Sequence, residues 1–224
     1  MKRAIIAGAT GLIGTRLVNE LLKKGTYDEI HLLTRRRTAF HMEPQITEHL
    51  VSFDNLEEAE HVFQKGDDIF VTLGTTIKRA GSEESFIKVD YHYPHKIAQM
   101  AAKNGADHYT VVTAMGADRH SRFFYSIVKG SLEETLMQTG LDKLHIIRPS
   151  LLIGVRNEVR PGEKAAEWFA RPLSPLMRGK LEKYKPVHAN DVARAMHAVA
   201  NTGSRGTHIY ESDDIEQIAR ALKA

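Results

Sequence analysis

Tyr125 and Lys129 stand four residues apart in a segment with helical periodicity, so they share one face. A phenol beside a fixed ammonium is a proton donor. Free tyrosine titrates near 10, and a nearby cation favours the phenolate and brings that value closer to working pH. The same ammonium is suited to holding the hydroxyls of a ribose. Of the seven tyrosines, only Tyr125 has a lysine four positions on. A hydroxyl at the end of the preceding strand would orient a substrate oxygen; Thr113 is the nearest, and its neighbour Ala114 cannot serve.

A second constellation is GATGLIG at residues 8–14. Gly8, Gly11 and Gly14 fall between a predicted strand and a predicted helix, the setting of a dinucleotide-binding turn. A side chain there would block a pyrophosphate, and the helix N-terminus offers N–H groups and the positive dipole end to the phosphates. The spacing is G-x-x-G-x-x-G rather than G-x-G-x-x-G. An NAD site usually carries an acid at the end of the second strand, to bond the ribose 2′-hydroxyl. Here Asp28 and Glu29 lie at that strand's start, and its end carries Thr34, Arg35, Arg36 and Arg37. A guanidinium matches a 2′-phosphate in charge and in fork geometry. The expected cofactor is therefore NADP(H). Asp54 is placed to bond the adenine amino group, and Leu73, Gly74 and Thr75 to pass close to the ribose and pyrophosphate.

The elements that must position these residues alternate. Apolar strands at 2–8, 29–34, 47–53, 67–74, 108–116 and 143–149 are separated by helical patterns, the last three at 55–64, 84–104 and 122–139. A helix at 189–200, a strand at 206–211 and a helix at 213–222 close the chain. This order predicts an α/β fold, a doubly wound parallel sheet of the NAD(P)-binding Rossmann type. Asn190 or Asp191 is the expected N-cap of the 189–200 helix.

The 224 residues fit one domain at about 100–200 residues per domain. Residues 155–186 differ in character, with four prolines and eight Lys or Arg against four Glu, and are expected to form a small substrate cap holding Trp168 and Phe169. The net charge of +3 is too small for a general nucleic-acid binder. The absence of cysteine excludes disulfides, thiolate metal sites and cysteine nucleophiles. His92 and His95 share a helix face without a third ligand, so no metal is expected. Lys2 and Arg3 before the apolar run 4–13 imitate a signal peptide, but the three glycines interrupt it. No stretch approaches about 18 uninterrupted apolar residues. No membrane association and a cytoplasmic location are the expectations.

Together GATGLIG (8–14), TRRR (34–37), FDNL (53–56), LGTT (73–76), KVDYHYP (88–94), TAMGAD (113–118), YSIVKG (125–130), RPSLLIG (148–154) and RPGE (160–163) resemble the atypical short-chain dehydrogenases/reductases. The likeness is greatest to the oxidoreductase HIV-Tat-interacting-protein group and spans nearly the whole chain. It implies that Gly8, Thr10, Gly11, Leu12, Ile13 and Gly14 line the pyrophosphate, and that Arg35 and Arg36 meet the 2′-phosphate. It also implies that Leu73, Gly74 and Thr75 contact the adenosine side, that Tyr125 and Lys129 are the catalytic pair, and that Arg148, Pro149 and Ser150 pass near the nicotinamide. The group often has serines where this chain has Thr113 and Ala114, and a glycine where it has Ser150.

Three readings follow. The first is an NADPH-dependent reductase of a small carbonyl compound. The second is a regulatory module that senses NADPH/NADP⁺ and docks a protein partner. The third is nucleotide-sugar epimerase or dehydratase chemistry, for which the chain is short. The helices at 84–104 and 122–139 are also suited to pairing in a homodimer.

Overall fold

The computed structural model describes residues 1–154 and 184–222. Its strands are β1 (Arg3–Ala7), β2 (Glu29–Thr34), β3 (Ile46–Leu50), β4 (Asp68–Val71), β5 (His108–Val112), β6 (Lys143–Ile147), β7 (Leu152–Ile153), β8 (Val187–His188) and β9 (Gly206–Tyr210). Seven of them form one sheet in the order β3-β2-β1-β4-β5-β6-β9, with every neighbouring pair parallel. The expected doubly wound Rossmann fold is therefore present. The strand order reverses between β1 and β4, and the crevice above their C-terminal ends is where such sheets bind ligands.

The helices are α1 (Leu12–Lys24), α2 (Ile77–Ala80), α3 (Glu83–Ile87), α4 (Tyr93–Lys103), α5 (Phe124–Met137), α6 (Ala189–Val199) and α7 (Ser212–Ala221), with a 3₁₀ segment at Phe53–Val62. Successive strand residues point to opposite faces, and the apolar runs fill both. Ala4 and Ile6 of β1 join Leu17 and Leu21 of α1 and Val192 and Met196 of α6 in one core. Ile5 and Ala7 join Ile69, Val71, Ile97, Ala101 and Leu132 in the other, beneath α4 and α5.

Several departures from the sequence reading have local causes. The third strand ends at Leu50, because Phe53 already begins the 3₁₀ segment. The helix expected at 84–104 is present as α3 and α4 joined by a π turn at Lys88–His92, in which Tyr93 N–H reaches the Lys88 carbonyl. Pro94 sits in the first turn of α4. It has no N–H for the Asp90 carbonyl four residues back, so the α ladder cannot run through. The N-cap of α6 is His188, without a side-chain cap bond; Asp191 lies inside the first turn and pairs with Arg194 at 3.0 Å. β7 and β8 form a separate two-stranded sheet that the periodicity did not signal. The expected cap, apart from residues 184–186, lies outside the described residues, as do Trp168 and Phe169.

Candidate dinucleotide site

The glycine turn joins β1 to α1. Gly8 has φ +98°, open to glycine at low cost, and its carbonyl accepts from Gly11 N–H at 2.9 Å. Thr72, just past β4, donates its hydroxyl to the same carbonyl at 3.1 Å. A Cβ on Gly14 would lie 2.1 Å from that oxygen, so the helix approaches the strand only because residue 14 is bare. Gly11 differs: a Cβ there would meet nothing closer than the Gly8 oxygen at 3.3 Å. The protein's own packing demands Gly8 and Gly14 far more than Gly11.

Gly11 caps α1 with no side-chain bond, and the first turn carries no acid. The opening N–H groups of a helix have no intrahelical acceptor. Thr10 and Gly11 are exposed, Leu12 is half-buried and Ile13 is buried in the core. The turn thus presents backbone donors and a positive dipole end beside the bare, exposed Gly11, which fits a pyrophosphate.

Beyond β2, Thr34 donates its hydroxyl to the Arg36 carbonyl at 2.8 Å, and Glu48 accepts from the Thr38 N–H at 2.8 Å. These bonds pin both ends of the arginine turn. Arg35, Arg36 and Arg37 are exposed, and among the described residues none of them is in an ion pair. Asp54 accepts from the Tyr93 hydroxyl at 2.8 Å. Burial, then that bond, raises the Tyr93 phenol to about 12, while Arg35 opposes the shift. Arg35, Asp54 and Tyr93 therefore lie in one electrostatic neighbourhood. Leu73, Gly74 and Thr75 follow β4, and Thr75 N–H donates to Asp90 at 2.9 Å.

On α5, Tyr125, Lys129 and Glu133 form a stripe at successive intervals of four. Tyr125 is 41% exposed, and its ring packs at 5.7 Å from that of Phe86. Lys129 is buried, and its Nζ lies 2.7 Å from Asp90 Oδ1. Glu133 is buried and accepts from Arg148 Nε at 3.0 and 3.1 Å, with a further short contact from the Arg148 guanidinium. That pairing raises the Arg148 pKa.

Glu133 also accepts the Thr113 hydroxyl at 2.5 Å. The single hydroxyl proton of Thr113, expected to face a substrate oxygen, is engaged here by that buried carboxylate. Arg148, too, aims its side chain at Glu133, while its N–H donates to the Tyr210 carbonyl at 2.8 Å. The Pro149 carbonyl accepts from Met115 N–H at 3.0 Å. Ser150 is held by Ser212 Oγ at 2.8 Å from its N–H and by a short hydroxyl bond to the Lys185 carbonyl.

Asp90 and Glu133 were not singled out by sequence reasoning. A signal existed for Glu133, the next acid on the Tyr125–Lys129 face. Asp90 lies within the KVDYHYP segment, but its direction depends on the π turn.

Among the described residues, Asp68, Asp107 and His108 bring possible ligand atoms within 4.8 Å of one another. Lys2 lies 3.1 Å from Asp68 and Lys143 2.8 Å from Asp107, so these carboxylates are already balanced. The group sits at the N-terminal ends of β4 and β5, away from the crevice. No helix among the described residues is long and apolar enough to cross a membrane.

Residues 8–203 match the NAD(P)H-binding family. Protein HTATIP2 of Rattus norvegicus is 32% identical over 222 residues, covering 98% of this chain and 90% of the relative. Protein FMP52, mitochondrial, of Candida albicans is 31% identical over 227 residues, covering 97% and 98%. The structure of the UDP-glucose 4-epimerase of Thermus thermophilus in complex with NAD superposes with a TM-score of 0.67, covering 99% of this chain and 83% of that one. At 15% identity it shows the fold alone.

The expected cytoplasmic location is overturned by the fungal relatives, several of which are named as mitochondrial proteins. A Rossmann core folds alike in either compartment, so the features that built the expectation carry no address. Sequence match, sheet order and glycine turn agree: the chain belongs to the NAD(P)H-binding family.

Proposed function

We propose that the protein is an NADPH-dependent reductase of a small carbonyl compound. The observation that carries this reading is the α5 stripe, where an exposed phenol stands one turn from a buried ammonium beside the crevice. The dinucleotide, when bound, supplies the hydride. Backbone N–H groups at Leu12 and Ile13 would hold its pyrophosphate, with Gly11 leaving the approach open, and Arg35 with Arg36 would take the 2′-phosphate. Lys129 would face the nicotinamide ribose. Tyr125 gives its phenolic proton to the oxygen of the carbonyl as that oxygen becomes an alkoxide, leaving an alcohol. Thr113 contributes through Glu133, by fixing the end of β5 against α5, rather than by touching substrate.

Tyr125→Phe tests the assignment. It should lower turnover at least about a hundredfold and leave NADPH affinity within a few-fold. Equal loss of both would sink the role given to Tyr125.

One observation favours a second reading, a redox-sensing module that docks a protein partner. Thr113 spends its proton on Glu133, and Ala114 has no hydroxyl, so an orienting donor is missing from the strand end. On that reading Tyr125→Phe changes nothing, and a partner binds in one cofactor redox state only.

A further inference from the structure

Lys129 is buried to 3% exposure and Asp90 to 1%, and they touch at 2.7 Å. The second carboxylate oxygen of Asp90 is also occupied, by Thr75 N–H at 2.9 Å. Asp90 thus ties the ammonium to the loop after β4, along which Leu73, Gly74 and Thr75 run. Gly74 lies so close that a Cβ there would be 3.6 Å from Asp90 Oδ1. The carboxylate reaches this place because Pro94 opens the helix into a π turn, and π turns inside helices concentrate at functional sites.

The consequence is electrostatic. A free ammonium one turn from a phenol favours the phenolate. An ammonium in contact with a carboxylate presents almost no net charge at that distance. The other ionisable groups on the elements packed here do not replace it. Glu133 is matched by Arg148, which also has Glu211 at 4.0 Å and feels Asp118. Arg119 is matched by Glu134 at 2.5 Å. Tyr91 of the π turn bonds Thr135 at 3.0 Å. Glu83, Glu84, Lys88, His120 and Arg122 are exposed, where solvent screens them.

We infer that Asp90 is a positioning residue that holds Lys129 and cancels its charge, so that Tyr125 keeps its proton until a substrate oxygen calls for it. This rests on the reductase reading for its purpose, but the charge balance itself is testable without turnover.

The experiment is an ultraviolet titration of phenolate formation in the folded, cofactor-free protein. Four forms are compared: wild type, Asp90→Asn, Asp90→Asn with Tyr125→Phe, and Asp90→Asn with Lys129→Met. Asp90→Asn frees the ammonium and should move one phenolate step about one pH unit lower. The step must vanish when Tyr125 is also Phe. The Asn/Met form again carries no net charge at the pair, and its step should lie within about 0.3 units of the wild type, roughly a twofold change in proton affinity.

An unmoved step in Asp90→Asn would overturn the inference. So would a step raised by a unit or more in the Asn/Met form, because Lys129 would then have been acting uncompensated. Losing one member of a buried pair is more damaging than losing both; if Asp90→Asn alone does not fold, the Asn/Met form decides. Steps that move as stated in a protein that reduces no carbonyl compound would uphold the inference and end the reductase reading. Turnover with an unmoved step would do the reverse.

Discussion

The hydroxyl of Thr113, at the end of β5, donates to Glu133 of α5 at 2.5 Å. The same carboxylate takes the Arg148 guanidinium from the end of β6. One buried acid therefore ties two strand ends to the helix that carries Tyr125 and Lys129. The carboxylate cannot be left without its cation, since a buried unpaired charge costs more than the pair contributes.

Glu133→Gln should accordingly destabilise the fold by about 3 kcal/mol, because Arg148 loses its counter-charge. Thr113→Val should cost about 1.5 kcal/mol, the worth of a hydrogen bond to a charged group. Urea unfolding measures both. If Thr113 instead served a substrate, Thr113→Val would leave stability unchanged and lower turnover.

Gly11 and Gly14 should separate under the same substitution. Gly14→Ala drives a methyl to 2.1 Å from the Gly8 carbonyl and should cost about 3 kcal/mol or more. Gly11→Ala meets only a 3.3 Å contact. It should keep the melting temperature within a few degrees while weakening dinucleotide binding about tenfold, or 1.4 kcal/mol. Thermal melts and binding titrations of the two variants check this.

Acid should loosen one region first. His108 and His145 stack at 5.2 Å on adjacent strands, joined by a 3.0 Å contact between ring nitrogens. His208 continues the stack at 5.7 Å. Burial, chiefly, lowers both His108 and His145 to about 4. In the unfolded chain they titrate near 6.5. Between those values the unfolded state binds more protons, so stability is full above about pH 6.5 and falls as pH drops toward 4. Urea unfolding at pH 7 and pH 5 should show the loss, and His145→Gln should reduce its slope. A pH-independent stability over that range would contradict the neutral stack.

Local signals made most of the frame legible. Gly8, Gly11 and Gly14 act within a few residues of one another, and the alternation of Ala4, Ile5, Ile6 and Ala7 between two cores follows from strand geometry. Tyr125 and Lys129 are readable because helical spacing fixes a shared face. What the sequence hid depends on where a side chain turns after the chain has folded. Thr113 looks free to face a substrate until Glu133 arrives from α5. Asp90 meets Lys129 only through the π turn that Pro94 forces. The histidine stack needs the register of β6 with β9, which sets His145 beside His208. Asn190 and Asp191 look like caps, yet α6 starts before them.

The proposed preference for NADPH rests on the arginine turn and can be tested alone. Arg35→Ala and Arg36→Ala should each weaken NADPH binding, the stronger by about tenfold or 1.4 kcal/mol, and leave NADH binding unchanged. Equal effects on both nucleotides would mean that these guanidinium groups do not meet a 2′-phosphate.

The most direct measurement is a paired fluorescence titration of NADPH and NADH on the purified, cofactor-free protein. The arrangement of Gly11 and the three exposed arginines predicts NADPH binding at least tenfold tighter, about 1.4 kcal/mol. Tighter binding of NADH, or binding of neither nucleotide, would contradict it.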